Sequence, residues 1–249
     1  MKMLKITAVA CLALVLALPC LATKATPIGT VDVVLDNFGA NDITTVWGGG
    51  LDGVEVYGGV YLLNKSASTG VGDTWPNGLT PVFCIELHEL APHSTCTYNV
   101  VTPDAAHNNF LGGTLGQSKA DYLAELWERF YDPAWSIGTL YTDDQNSDAE
   151  AFGAAVWEIV YEDLPSSPTG WDVTTDGTAG VGGFYATGLD TNKANSYLHS
   201  LTGSGPKAGL YAFTNCGTQD FITVPEPATI VMLGLGGILS LIRRKRTAV

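Results

Sequence analysis

The sequence predicts an α+β fold, mostly β: a sandwich- or barrel-like domain carrying a helical insertion, with an N-terminal signal peptide and a C-terminal hydrophobic helix. Three observations carry that prediction. Twenty-nine glycines punctuate the 249 residues into short segments. Strand-like runs gather early and late with helical periods between them and no internal repeat, which is the order of an α+β domain. Both ends are apolar stretches unlike the body they flank.

Residues 1–22 carry Lys2 and Lys5, run apolar from Ile6 to Leu18 and close on Pro19-Cys20-Leu21-Ala22. A basic start, a short apolar stretch and small residues before a polar chain predict a Sec signal peptide, cut after Ala22 or alternatively after Ala25. About 13 apolar residues at ~1.5 Å each do not cross a ~30 Å hydrocarbon core.

The body, residues 23–223, opens with strand-like runs at Val31–Leu35, Ile43–Trp47, Val54–Leu63, Val82–His88 and Thr95–Val101. The last two read as a hairpin turning at Ala91-Pro92-His93-Ser94, and Gly48–Gly50 reads as a turn. The helical insertion covers about 118–163. Ser118 with Asp121 suggests a start for Lys119–Tyr131, whose Tyr122, Leu123, Leu126, Trp127 and Phe130 share one face. Ser147 with Glu150 suggests a start for Asp148–Glu162, with Phe152, Ala155, Val156, Ile159 and Val160 inward. Residues 165–190, rich in Gly, Thr, Ser and Pro, read as a long surface loop. A helix at Asn192–Leu201 and strands at Leu210–Thr214 and Phe221–Val224 complete the body.

Charge narrows the function. The whole chain is −13, but its basic residues sit mostly at the two ends. Between them Lys24, Lys65, Lys119, Arg129, Lys193 and Lys207 stand against 24 acidic residues, a net of −18. Such a body repels phosphate backbones, which excludes nucleic acid as a partner.

The last segment, 224–249, reads Val224-Pro225-Glu226-Pro227, then apolar from Ala228 to Ile242, then Arg243-Arg244-Lys245-Arg246. A turn-forming Pro-x-Pro, one hydrophobic stretch and a cationic stop make a transient membrane anchor with its basic end cytoplasmic. This order resembles the PEP-CTERM sorting signal. The resemblance implies a Gram-negative, polysaccharide-producing bacterium, recognition by an exosortase (a membrane transpeptidase), and removal of the anchor.

Three cysteines remain once the signal peptide is gone: Cys84, Cys96 and Cys216. An exported compartment permits disulfides, and an odd count allows at most one within the chain. Cys84 and Cys96 flank the expected hairpin; Cys216 is an equally available partner.

Phe83-Cys84-Ile85-Glu86 followed downstream by Phe152-Gly153-Ala154-Ala155-Val156-Trp157-Glu158 resembles the thioester domains of bacterial surface adhesins. The resemblance implies a related fold, with Cys84 at the cysteine that joins a glutamine carbonyl in that family. Here the glutamine position is Gly153, and Gln117 and Gln145 lie outside the motif. The resemblance therefore supports the fold and argues against the chemistry.

No zinc spacing involves His88, His93, His107 or His199, and no phosphate loop, dinucleotide fingerprint or nucleophile elbow occurs. Asp144-x-Asn146-x-Asp148-x-Glu150 spaces oxygens as a calcium loop does, without its glycine or its terminal acid, and reads instead as helix capping. Glu158, Glu162 and Asp163 read as a solvated helix end. No catalytic residue, metal or cofactor is expected. The sequence predicts a non-enzymatic exported surface or extracellular-matrix protein engaged in adhesion or polysaccharide association. It would meet the Sec machinery, an exosortase and, before processing, the inner membrane through its C-terminal helix. The alternatives are a covalent thioester-type adhesin using Cys84, or a carbohydrate-active enzyme.

Overall fold

The computed structural model describes residues 26–108, 112–175, 183–215 and 217–225. The expected signal peptide, Cys216 and the chain from Glu226 onward, with its expected hydrophobic helix, lie outside these residues. In chain order the elements are β1 (Gly29–Phe38), β2 (Ile43–Gly48), β3 (Leu51–Tyr57), β4 (Tyr61–Gly70), β5 (Gly78–Cys84), β6 (Cys96–Val101), β7 (His107–Asn108), β8 (Gly113–Thr114), α1 (Gly116–Phe130), α2 (Asp143–Tyr161), β9 (Phe184–Thr187), α3 (Thr191–His199), β10 (Tyr211–Asn215) and β11 (Thr218–Thr223). The fold is mostly β, with three helices among the described residues.

Six strands close into an antiparallel barrel in the order β1-β4-β5-β11-β10-β6. A separate sheet runs β3-β2-β9, and β7 pairs with β8. Alternation along β1 buries Val31 and Val33 fully while their neighbours are part-exposed, as a half-buried strand requires. On β5 the three consecutive residues Val82, Phe83 and Cys84 are all buried, because that wall is covered on both faces. Phe83 leaves the barrel for a ring cluster, 4.7 Å from Phe152 on α2 and 5.5 Å from Trp127 on α1. The core thus has two layers, the barrel interior and the seam between β5 and the helices.

Several expectations are corrected. The run Val54–Leu63 is two strands, β3 and β4, split at Gly58-Gly59. There the chain passes from the side sheet to the barrel so closely that a Cβ on Gly59 would stand 2.2 Å from the Ala40 carbonyl oxygen. Val82–His88 and Thr95–Val101 do not form a hairpin: β5 pairs with β4 and β11, and β6 with β1 and β10. Both main helices start earlier than expected. Leu115 precedes α1 without a side-chain cap, whereas a Thr142–Gln145 capping box starts α2. Residues 165–190 are more than a surface loop, since Trp171, Val173, Phe184 and Ala186 are buried and β9 extends the side sheet. The turn at Gly48–Gly50 is present, with φ of +56° at Gly49, a conformation glycine adopts without strain.

Antiparallel alternation sorts strand ends into two sets. One end of the barrel, the mouth, collects Phe38, Tyr61, Cys84, Cys96, Asn215 and Thr218. The other, the base, collects Gly29, Gly70, Gly78, Val101, Tyr211 and Thr223. Both termini of the barrel leave from the base: Ile28 N donates to Val100 O at 2.9 Å, and Trp75 Nε1 donates to Val224 O at 2.9 Å. No helix of the described residues is long and apolar enough to cross a membrane.

Candidate functional site

The base is where the C-terminal segment departs. β11 delivers Thr223, whose hydroxyl donates to Pro81 O at 2.7 Å, and the chain then passes Val224 to Pro225. Val224 and Pro225 form part of the wall of an apolar groove of about 650 Å³, which Trp127, Tyr131 and Tyr211 also line. Of the expected sorting residues, Pro225 stands at this groove; Glu226, Pro227, Arg243, Arg244, Lys245 and Arg246 lie outside the described residues.

The cysteines occupy the mouth. Cys84 is buried, its Sγ donating to Glu86 O at 3.1 Å. Burial pushes its thiol up to about 12, against the opposing influence of the nearby Trp157 indole and the hydrogen bond to Glu86. A thiol held that high is protonated at neutral pH and is a poor nucleophile. Trp157 and Tyr161 bring α2 to this layer; the Tyr161 hydroxyl accepts the Leu87 N–H at 2.8 Å. Gln219 Nε2 donates to the same Glu86 oxygen at 3.2 Å, which sets its carboxamide beside the sulfur.

Cys84 and Cys96, one of the pairings the sequence leaves open, are not joined: both are free thiols. The barrel order explains this, because β5 and β6 are three strands apart in a closed ring of six and so stand on opposite walls. Local hydrophobic runs do not reveal which strands become neighbours, and that topology was the missing information. Cys84 lies beside α2 as expected, near Trp157 and Tyr161, and Gly153 of the same helix meets the chain at Gly58. A Cβ there would stand 1.8 Å from the Gly58 carbonyl oxygen, so the position serves the contact between α2 and the segment joining β3 to β4.

The acidic run from Asp144 to Glu150 lies on α2, where helical spacing scatters its oxygens instead of wrapping them around an ion. Asn146 Oδ1 accepts the Asn41 N–H at 3.1 Å, and Asp148 pairs with Lys193. Glu150 is buried, and burial with the nearby Asp42 charge pushes its carboxyl up to about 7. Glu158 is no solvated end: it is buried and accepts the Asp172 N–H at 2.8 Å, holding the following loop. Sequence reasoning missed this role because a carboxylate on a helix is ordinarily solvated. Among the described residues no group of three or more His, Cys, Asp or Glu could hold a metal ion.

Residues 223–246 match the PEP-CTERM protein-sorting motif. No curated protein and no solved structure matches the chain. The motif implies export and membrane-linked processing before surface or extracellular release. It supports an exported protein that an exosortase processes.

Proposed function

We propose that this chain is a non-enzymatic protein of the cell surface or extracellular matrix, in which the tail is the address and the barrel is the displayed part. One observation carries the reading: the sorting motif begins at residue 223, the last residue of β11, so the folded body abuts its address without a linker. While anchored, the barrel therefore stands base-down on the membrane with its mouth outward. Adhesion or association with matrix polysaccharide is the work such a display serves. The test is sufficiency. Residues 223–249 transferred to the C-terminus of an unrelated Sec-exported reporter should take it to the membrane and then to release with a shortened C-terminus. A reporter that remains soluble in the periplasm at full length overturns the reading.

A second reading, a covalent adhesin, is favoured by the carboxamide of Gln219 beside Cys84. The burial and raised pKa of Cys84 oppose it. Intact mass after methylamine treatment separates the two: a scaffold keeps its mass, whereas an acyl bond to Cys84 adds one methylamine.

A further inference from the structure

The mouth, at the opposite end from the tail, contains a recess of about 300 Å³ beside the buried sulfur layer. Its volume is at the lower end of the ~300–1,000 Å³ typical of small-molecule sites, and the mouths of β-barrels are a recurrent place for them. Its walls are aromatic: the rings of Phe38 and Tyr57 lie 4.3 Å apart and those of Phe38 and Tyr61 5.1 Å apart. Tyr57 is 44% exposed and offers its ring to a ligand. Gln219, 7% exposed, also lines the recess, and its Oε1 has no hydrogen-bond partner while its Nε2 is committed to Glu86 O. A buried acceptor left unmatched costs about 1–3 kcal/mol, so this atom favours a ligand that supplies a donor.

Two acidic walls point the same way, while the unpartnered indole Nε1 of Trp157 on the same recess takes an acceptor, which a sugar hydroxyl also supplies. Glu55 and Glu89 contribute carboxylates, which only accept when ionised. Glu89 is partly desolvated, which raises its pKa against the Gly217 N–H that it accepts at 3.1 Å. A cation relieves that cost, and a body of net charge −18 concentrates cations at its surface. Aromatic faces attract both apolar ring faces and cations. The ligand should therefore be rich in donors, positively charged and flat on one face.

We propose that the mouth recess binds a short amino sugar bearing a free ammonium group. The sugar face packs on Tyr57, the ammonium pairs with Glu55 and Glu89, and a hydroxyl donates to Gln219 Oε1. This site does not depend on the route by which the barrel is exported.

The experiment is calorimetric titration of the full chain, purified in a mild detergent, with a glucosamine disaccharide. The N-acetylated disaccharide, a glucose disaccharide and free lysine form the comparison arms. Saturable binding is expected for glucosamine, at least ~10-fold weaker binding for the other three, and weakening by added salt. Tyr57→Ala and Glu55→Gln alter exposed positions and should each weaken binding at least ~10-fold with an unchanged melting temperature. Equal binding of the acetylated sugar or of lysine overturns the proposal, as does binding that neither variant changes. Absence of binding at about 10 mM glucosamine disaccharide overturns it too. Tail processing, read by mass on the chain expressed in cells, is a separate result, so failure of the recess and failure of the sorting reading are distinguishable.

Discussion

At Gly153 the missing side chain is structural, since the helix passes so close to Gly58 that even a methyl group collides with a backbone oxygen. Gly153→Ala should therefore lower stability by at least ~2 kcal/mol, measured as a fall in melting temperature, through overpacking that neither backbone can relieve cheaply. Glu150 offers a pH test. Its carboxyl is raised to about 7 in the fold, by burial first and Asp42 second, above an ordinary value near ~4.3. The folded state thus holds a proton that the unfolded chain has released, so stability should fall as pH rises from about 4.5 to about 7 and level off above. Glu150→Gln should flatten that slope and raise stability at neutral pH by about 1–2 kcal/mol. A slope unchanged in the variant would refute the assignment. Neither property was legible in the sequence, where Glu150 looks like a helix-starting acid and Gly153 like an absent glutamine.

Among the elements, legibility followed local pattern. The strongly periodic helices and the β-branched strands were evident from residue spacing, but the start of α2 depended on which of two similar capping arrangements forms. Helix α2 begins at Asp143 because Thr142 Oγ1 accepts the Gln145 N–H at 3.2 Å while Gln145 Oε1 accepts the Thr142 N–H at 3.0 Å. Ser147 with Glu150 mimics that arrangement one turn later. Thr142→Ala should cost about 1 kcal/mol in thermal unfolding, whereas Ser147→Ala should cost nearly nothing. Equal losses would return the cap to Ser147. The segment 165–190 shows the opposite failure. Its composition is that of a loop, yet Trp171 and Phe184 bury their rings, and Glu158 and Asn195 accept the N–H groups of Asp172 and Val173. Carboxylates and amides on the two helices do there what a regular ladder does elsewhere. Strand pairing was the least legible level: no feature of Val82–His88 announces that its partners are β4 and β11.

For the whole molecule, the antiparallel barrel divides labour between its ends. The base holds both exits of the folded chain, through Ile28 and Val224, and leads into the sorting motif at 223–246. The mouth holds the buried thiol and the aromatic recess, at the opposite end of the barrel from Val224. The tail was the most legible part of the chain, because its three pieces are contiguous and each has a distinct physical character. The recess was illegible, because Tyr57, Glu89 and Gln219 meet only after the barrel closes. The central claim is that the tail directs processing of an exported body. Its most direct test is the intact mass of the released protein, from the wild type and from a variant with Arg243, Arg244, Lys245 and Arg246 all replaced by alanine. The account predicts a wild-type body that has lost residues 1–22 and is shortened within 224–249, and a variant that keeps its tail. Release of wild-type protein ending at Val249, or identical shortening of the variant, would contradict it.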